Sequence, residues 1–215
     1  MKTSRIWATL LIPGLIPGLF PGLLPGTVAG AAPSVTIRLV NSAKVPNGTV
    51  LTAERHAGRV LAQAGVDVVW LDCSVGEVGP CAPQLRPAEF WLHVANWKPG
   101  TASAGELGFT LPAQDSEGGS GLAGVYYPMV REMAALGSVE ESLILAATLA
   151  HEIGHVLGVG HSRTGVMTAQ FDRRSIIELS QGGFVFSNDQ AARMRAEVMR
   201  RASTTLTTAS GPPRE

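Results

Sequence analysis

Residues 151–161 read His-Glu-Ile-Gly-His-Val-Leu-Gly-Val-Gly-His, and no other stretch restricts the chain as much. On an α-helix, positions four apart stack on one face, so His151 and His155 aim their imidazoles at one point. Glu152 lies about 100° around the helix from His151, within reach of whatever the imidazoles hold without joining them. A helix that simply continued would carry the next residues away. Gly158 lets the chain leave in the left-handed conformation that commonly ends helices, which returns His161 to the same point. Three neutral imidazoles with a fourth position open form the ligand set of a catalytic zinc, and a neighbouring carboxylate suits a general base. A bare H-E-x-x-H inside a buried helix arises by chance; here the longer H-E-x-x-H-x-x-G-x-x-H is complete.

Six positions after His161 comes Met167, in Gly165-Val166-Met167-Thr168. Residues 151–167 together resemble the metzincin metallopeptidases, whose Met-turn underlies the zinc site, and Ser162 after the third histidine looks most like the matrixin branch. The resemblance implies an α+β catalytic domain over residues 32–202. Its parts would be a twisted mixed sheet of about five strands, a long zinc-site helix and a C-terminal helix. It implies hydrolysis of peptide bonds in a protein or peptide substrate. One zinc would be held by His151, His155 and His161, with Glu152 as base and Gly158 and Met167 as structural supports. In that architecture an edge strand runs opposite to the others above the zinc helix, and the substrate pairs with it as an added strand. Gly105 to Leu111 is the candidate, with a plain hairpin arm as the competing reading. Residues 168–186 would wall the pocket for the side chain after the scissile bond, with Phe171 as a liner. Asp115 and Glu117, in the loop Asp115 to Gly121, would be calcium ligands if they follow matrixin-like enzymes, against the simpler reading of a solvated turn.

Three features depart from a standard matrixin. No cysteine-switch propeptide separates the leader from the first strand. His56 and His93 are the only histidines outside the motif, too few for a structural zinc, and both read as structural. Ala169 stands where some metzincins carry a tyrosine, so no tyrosine is assigned to the metal, and Tyr126 and Tyr127 have no assigned role. The rival class is a zinc-binding module without proteolysis. Glu152 argues against it, because a purely structural zinc needs no base and fills its fourth position. The same chemistry on another amide, or in self-processing, stays open.

At 215 residues, 45% apolar and 16% charged, the chain suggests one domain with a real core. Basic and acidic residues number 17 each; without Lys2 and Arg5 of the leader the basic count is 17 − 2 = 15. No nucleic-acid partner is implied, and a monomer is expected. Residues 1–31 read as a secretory signal peptide, cleaved after Ala31, which makes the protein secreted or periplasmic. Its apolar part is a tandem Leu-Ile-Pro-Gly-type repeat from Leu11 to Gly26. Proline every fourth residue opposes a stable membrane span, with an uncleaved anchor as the alternative. In an exported chain Cys73 and Cys81 read as a disulfide. Zinc ligation, the rival reading, would need partners that the sequence does not identify.

Along the mature chain, alternation at Val35, Ile37 and Leu39 predicts a first strand, and the apolar stripe from about Thr49 to Ala64 a helix stopped by Gly65. Val66 to Asp72 predicts a largely buried second strand, and Glu89 to Trp97 a third covered on both sides. Leu122 to Met129 reads as the last strand. Ser138-Val139-Glu140-Glu141 reads as a capping box that starts the zinc helix, which runs to about Leu157 with apolar residues on most sides. Gly154 inside that helix predicts close backbone packing against a neighbour. Ser187-Asn188-Asp189-Gln190 predicts a second box, opening a helix to about Ala202. Residues 203–215 are expected to be a disordered tail.

Overall fold

The structure, a computed structural model, describes residues 32–76, 78–82, 84–102, 105–111 and 121–209. The leader, the candidate calcium ligands Asp115 and Glu117, and residues 210–215 lie outside the described residues.

The described chain is a five-stranded mixed sheet with five α-helices. In chain order these are β1 (Ser34–Asn41), α1 (Asn47–Gln63), β2 (Asp67–Asp72), β3 (Glu89–Ala95), β4 (Gly108–Thr110), β5 (Leu122–Tyr126), α2 (Tyr127–Gly137), α3 (Glu141–Val156), α4 (Arg173–Ser180) and α5 (Asn188–Ala209). The strand order is β2-β1-β3-β5-β4. All pairs are parallel except β4 on β5.

The register explains the core. Ile37 pairs with Phe90 and Leu39 with Leu92 across β1 and β3, while Leu92 pairs with Ala123 and Val94 with Val125 across β3 and β5. One face therefore carries a continuous apolar row, and all seven of these side chains are buried. Helix α1 contributes Val50, Ala53, Ala57 and Leu61 from a single stripe and packs against α3. Gly65, at φ 77°, ends the turn after it. On the opposite face of β1, Arg38 is buried against the Trp91 ring and pairs with Glu89.

Several boundaries differ from the sequence-based expectation. Strand β2 is an edge strand and only half-buried, with Val69 51% exposed; its β-branched run packs one face only. Strand β3 stops at Ala95, and its Trp91 face is partly exposed. The apolar run Leu122 to Met129 is not one strand. It breaks at Tyr126, and α2 begins with Pro128 in its first turn, where a missing N–H costs nothing. Ser138 then takes the left-handed conformation, φ 52°, that closes α2. In that position its side chain makes no cap bond to α3, whose N-cap is Glu140. The capping box expected at Ser138 is thus absent.

A genuine box opens α4 instead, where Asp172 Oδ1 accepts from the Ser175 amide at 2.9 Å. The box at Ser187 forms as expected. The Ser187 amide donates to Gln190 Oε1 at 2.9 Å, and the Gln190 amide to Ser187 Oγ at 3.3 Å. Helix α5 continues to Ala209, so residues 203–209 are helical rather than part of a tail.

Cys73 and Cys81 are disulfide-bonded, with Cα atoms 5.6 Å apart. The bridge ties the end of β2 to a single 3₁₀ turn, Gly79–Cys81. No described helix is long and apolar enough to cross a membrane.

Candidate metal centre

Helix α3 is apolar on most sides, with Ile144, Leu145, Leu149 and Ile153 fully buried. Such a helix is anchored through its whole length, which fixes the two imidazoles that leave it one turn apart. Its last turn ends in a left-handed exit. The Gly158 amide donates to the His155 carbonyl at 2.9 Å and the Val159 amide to the Gly154 carbonyl at 3.0 Å. Gly158 sits at φ 78°, where a side chain would be strained. This paired-bond exit satisfies orphan helix carbonyls and reverses the chain toward His161.

The exit also supplies a hydrogen-bond partner. His155 Nδ1 lies 2.8 Å from the Val159 carbonyl oxygen, and His151 Nδ1 lies 2.7 Å from that of Val166. A carbonyl only accepts, so each Nδ1 carries the proton and each Nε2 keeps a lone pair. Backbone oxygens thus select the metal-binding tautomer. The His155 and His161 Nε2 atoms are 3.0 Å apart, and ligand atoms of all three histidines lie within 4.8 Å of one another. Two nitrogens at about 2.0–2.1 Å from one tetrahedral ion stand about 3.3 Å apart, so the residues present fit a single zinc. Burial pushes the His151 imidazole down to about 4; the bond to Val166 opposes this, and His155 and His161 add to it. His155 is lowered too, chiefly by burial. Neutral rings are the form that ligates.

Met167 is fully buried. A Cβ added at Gly154 would meet its Sδ at 2.5 Å and Phe186 Cε1 at 3.0 Å. The bare backbone of α3 therefore lets the thioether pack directly against the helix, which accounts for the helical glycine. The Ser162 amide donates to the Met167 carbonyl at 2.7 Å, and Ser162 and Thr168 form a short parallel bridge just after His161.

Glu152 is 3% exposed and lines the same cleft as the three histidines. Burial raises its carboxyl to about 7, against a lowering hydrogen bond from Thr110 and with a further push from the Glu106 carboxylate. The cleft, about 610 Å³, is bordered by residues 105–110 on one side, by Ala147 and Thr148 of α3, and by residues 168–171 including Phe171 on the other. The two walls meet where the Phe171 amide donates to the Gly105 carbonyl at 3.1 Å. Phe171 lines this cleft, edge-on to Phe184 with ring centroids 5.6 Å apart.

Among the described residues the three motif histidines are the only cluster able to hold a metal. His56 and His93 stand apart from it. Tyr126 is buried between Phe109 and Trp97, and the Tyr127 hydroxyl donates to Glu141. Thr110, Glu106 and Gly105 are site residues that motif spacing alone does not single out, because β4 reaches α3 through a contact across 42 positions.

No protein-family model matches the sequence, and no curated protein matches it. Among solved structures, the crystal structure of an archaemetzincin from Methanopyrus kandleri is similar at a TM-score of 0.48 and 16% identity, over 80% of this chain and 99% of that chain.

Proposed function

We propose that the protein is a zinc-dependent metallopeptidase that hydrolyses internal peptide bonds, with His151, His155 and His161 as ligands and Glu152 as general base. The observation that carries this reading is the convergence of three imidazoles, two of them locked in the metal-binding tautomer, with a buried carboxylate in one cleft. When bound, zinc supplies an acidified water and a Lewis acid for the scissile carbonyl. The residues of the chain do the rest. Among the described residues β4 pairs only with β5, which leaves its other side for an extended peptide to add as a strand. Glu152, with its affinity for protons raised toward neutrality, takes a proton from the attacking water and passes it to the leaving amine.

Ser162, the residue behind the matrixin likeness, donates to the Thr164 carbonyl at 2.9 Å within the turn that follows the third ligand. The disulfide between Cys73 and Cys81 supports export to an oxidising compartment, in keeping with a leader over residues 1–31.

The test is zinc content and cleavage of a mixed peptide library by the chain from Ala32 onward, beside Glu152→Gln. We expect one zinc per chain in both proteins and at least a 1000-fold loss of cleavage in the variant, on the order of removing an acid–base group. Full activity in Glu152→Gln defeats the mechanism. Zinc bound by both with cleavage by neither points to a binding module.

A further inference from the structure

Strand β4 touches the Glu152 carboxylate at both oxygens. Thr110 Oγ1 lies 2.8 Å from Oε2 and 3.4 Å from the Glu152 carbonyl oxygen. A hydroxyl has one proton to donate, and the shorter, charge-assisted contact is the one it serves. The other oxygen faces Gly108, where an added Cβ would come within 2.6 Å of Oε1 and 2.5 Å of the Gly124 carbonyl oxygen. One strand of three residues thus holds one oxygen with a donor and makes room for the other by lacking a side chain. Glu152 is buried, so water does not readily replace a missing donor.

We propose that Thr110 is a positioning residue, whose hydroxyl fixes the Glu152 carboxylate in the orientation from which it serves as base. The proposal rests on the peptidase reading for its consequence but on geometry for its substance. Three side-chain torsions separate the Glu152 carboxylate from the helix, and without the hydroxyl the group is free to rotate away from its place in the cleft. A base displaced by about 1 Å loses rate while binding of zinc and peptide is little changed. If Thr110 were only packing, valine of the same shape would be neutral.

The experiment compares the wild-type full chain with Thr110→Val, Thr110→Ala and Thr110→Ser, each zinc-loaded, by kcat, KM and zinc content, and by crystal structures. We expect valine and alanine to lower kcat about 10- to 100-fold with KM within about 3-fold and one zinc per chain retained, and serine to return kcat to within about 3-fold. In the crystals the Glu152 carboxylate should keep its orientation with serine and leave it with valine and alanine. A wild-type kcat in either hydroxyl-free variant, or a serine variant as slow as they are, overturns the proposal. If the wild-type chain binds zinc and cleaves nothing, the peptidase reading falls and the crystals still decide. A carboxylate unmoved in Thr110→Val or Thr110→Ala overturns positioning, and one turned away there but held in Thr110→Ser upholds it.

Discussion

The two edges of the sheet solve the same problem in opposite ways. Strand β2, six residues long and parallel to its neighbour, is bracketed by Asp67 and Asp72 and tied at its end by the disulfide. Strand β4, three residues long and antiparallel, has no covalent tie and leans on ring packing of Phe109 against Tyr126 at 5.4 Å. Four strand spacings, about 19 Å, separate them. The first edge is closed by charge and covalent restraint, as exposed edges commonly are. The second is kept short and, among the described residues, pairs on one side only, and it borders the three histidines. On the proposed peptidase reading, stability and chemistry are invested at different ends of one sheet, and substitutions at each end should register in different measurements.

The sharpest break of that contrast is Gly108→Ala. Its Cβ would press on the Gly124 carbonyl and the Glu152 carboxylate, and a backbone neighbour does not yield cheaply. We expect peptide cleavage to fall by at least about 100-fold, with zinc retained, in a steady-state assay with metal analysis. Unchanged activity would show that β4 does not constrain the base.

At the other edge, the Cys73→Ser, Cys81→Ser double variant should lose about 2 to 3 kcal/mol of stability by denaturant unfolding, while cleavage at 25 °C stays within twofold. Activity that collapses with the disulfide would merge the two regions.

The smallest effect involves Glu54 of α1, which burial and the Asp72 carboxylate push up to about 7. The folded state binds that proton more tightly than the unfolded state, so stability contributed there is present at low pH and is lost as pH rises from about 4.5 through 7. Glu54→Gln should flatten that slope by less than about 1 kcal/mol, since the side chain is only half-buried and solvent screens it. Unfolding midpoints at pH 5 and pH 8 would show it, and an unchanged slope would remove Glu54 from the account.

Much of the site is local chemistry and was legible as such. The triad, Glu152 and Gly158 share the eleven residues 151–161, whose geometry follows from helical periodicity and one left-handed turn. Gly154 announced close packing, and the structure supplies the neighbours, Met167 and Phe186. What stayed hidden was decided by context. Ser138 has the residue type and spacing of a helix cap, yet its backbone is already committed to ending α2. Leu122 to Met129 is apolar throughout, so periodicity could not mark the change from strand to helix; Pro128 was the usable signal. The Thr110 contact joins a sheet edge to a helix 42 positions away, and no local pattern encodes such a pairing.

Arg201 of α5 is almost fully buried. It donates to the Val156 carbonyl at the end of α3 at 3.3 Å, to the Pro87 carbonyl at 3.4 Å and to Glu197 at 2.6 Å, and its guanidinium sits 4.7 Å over the Phe90 ring. Two of these partners are 45 and 114 positions away, contacts of the slow, long-range kind in folding. As the chain leaves the ribosome, the ligand helix is therefore complete in sequence well before its far end is secured. The last helix is the latch, and ribosome-bound chains halted ahead of it should remain open to proteases around residues 151–161.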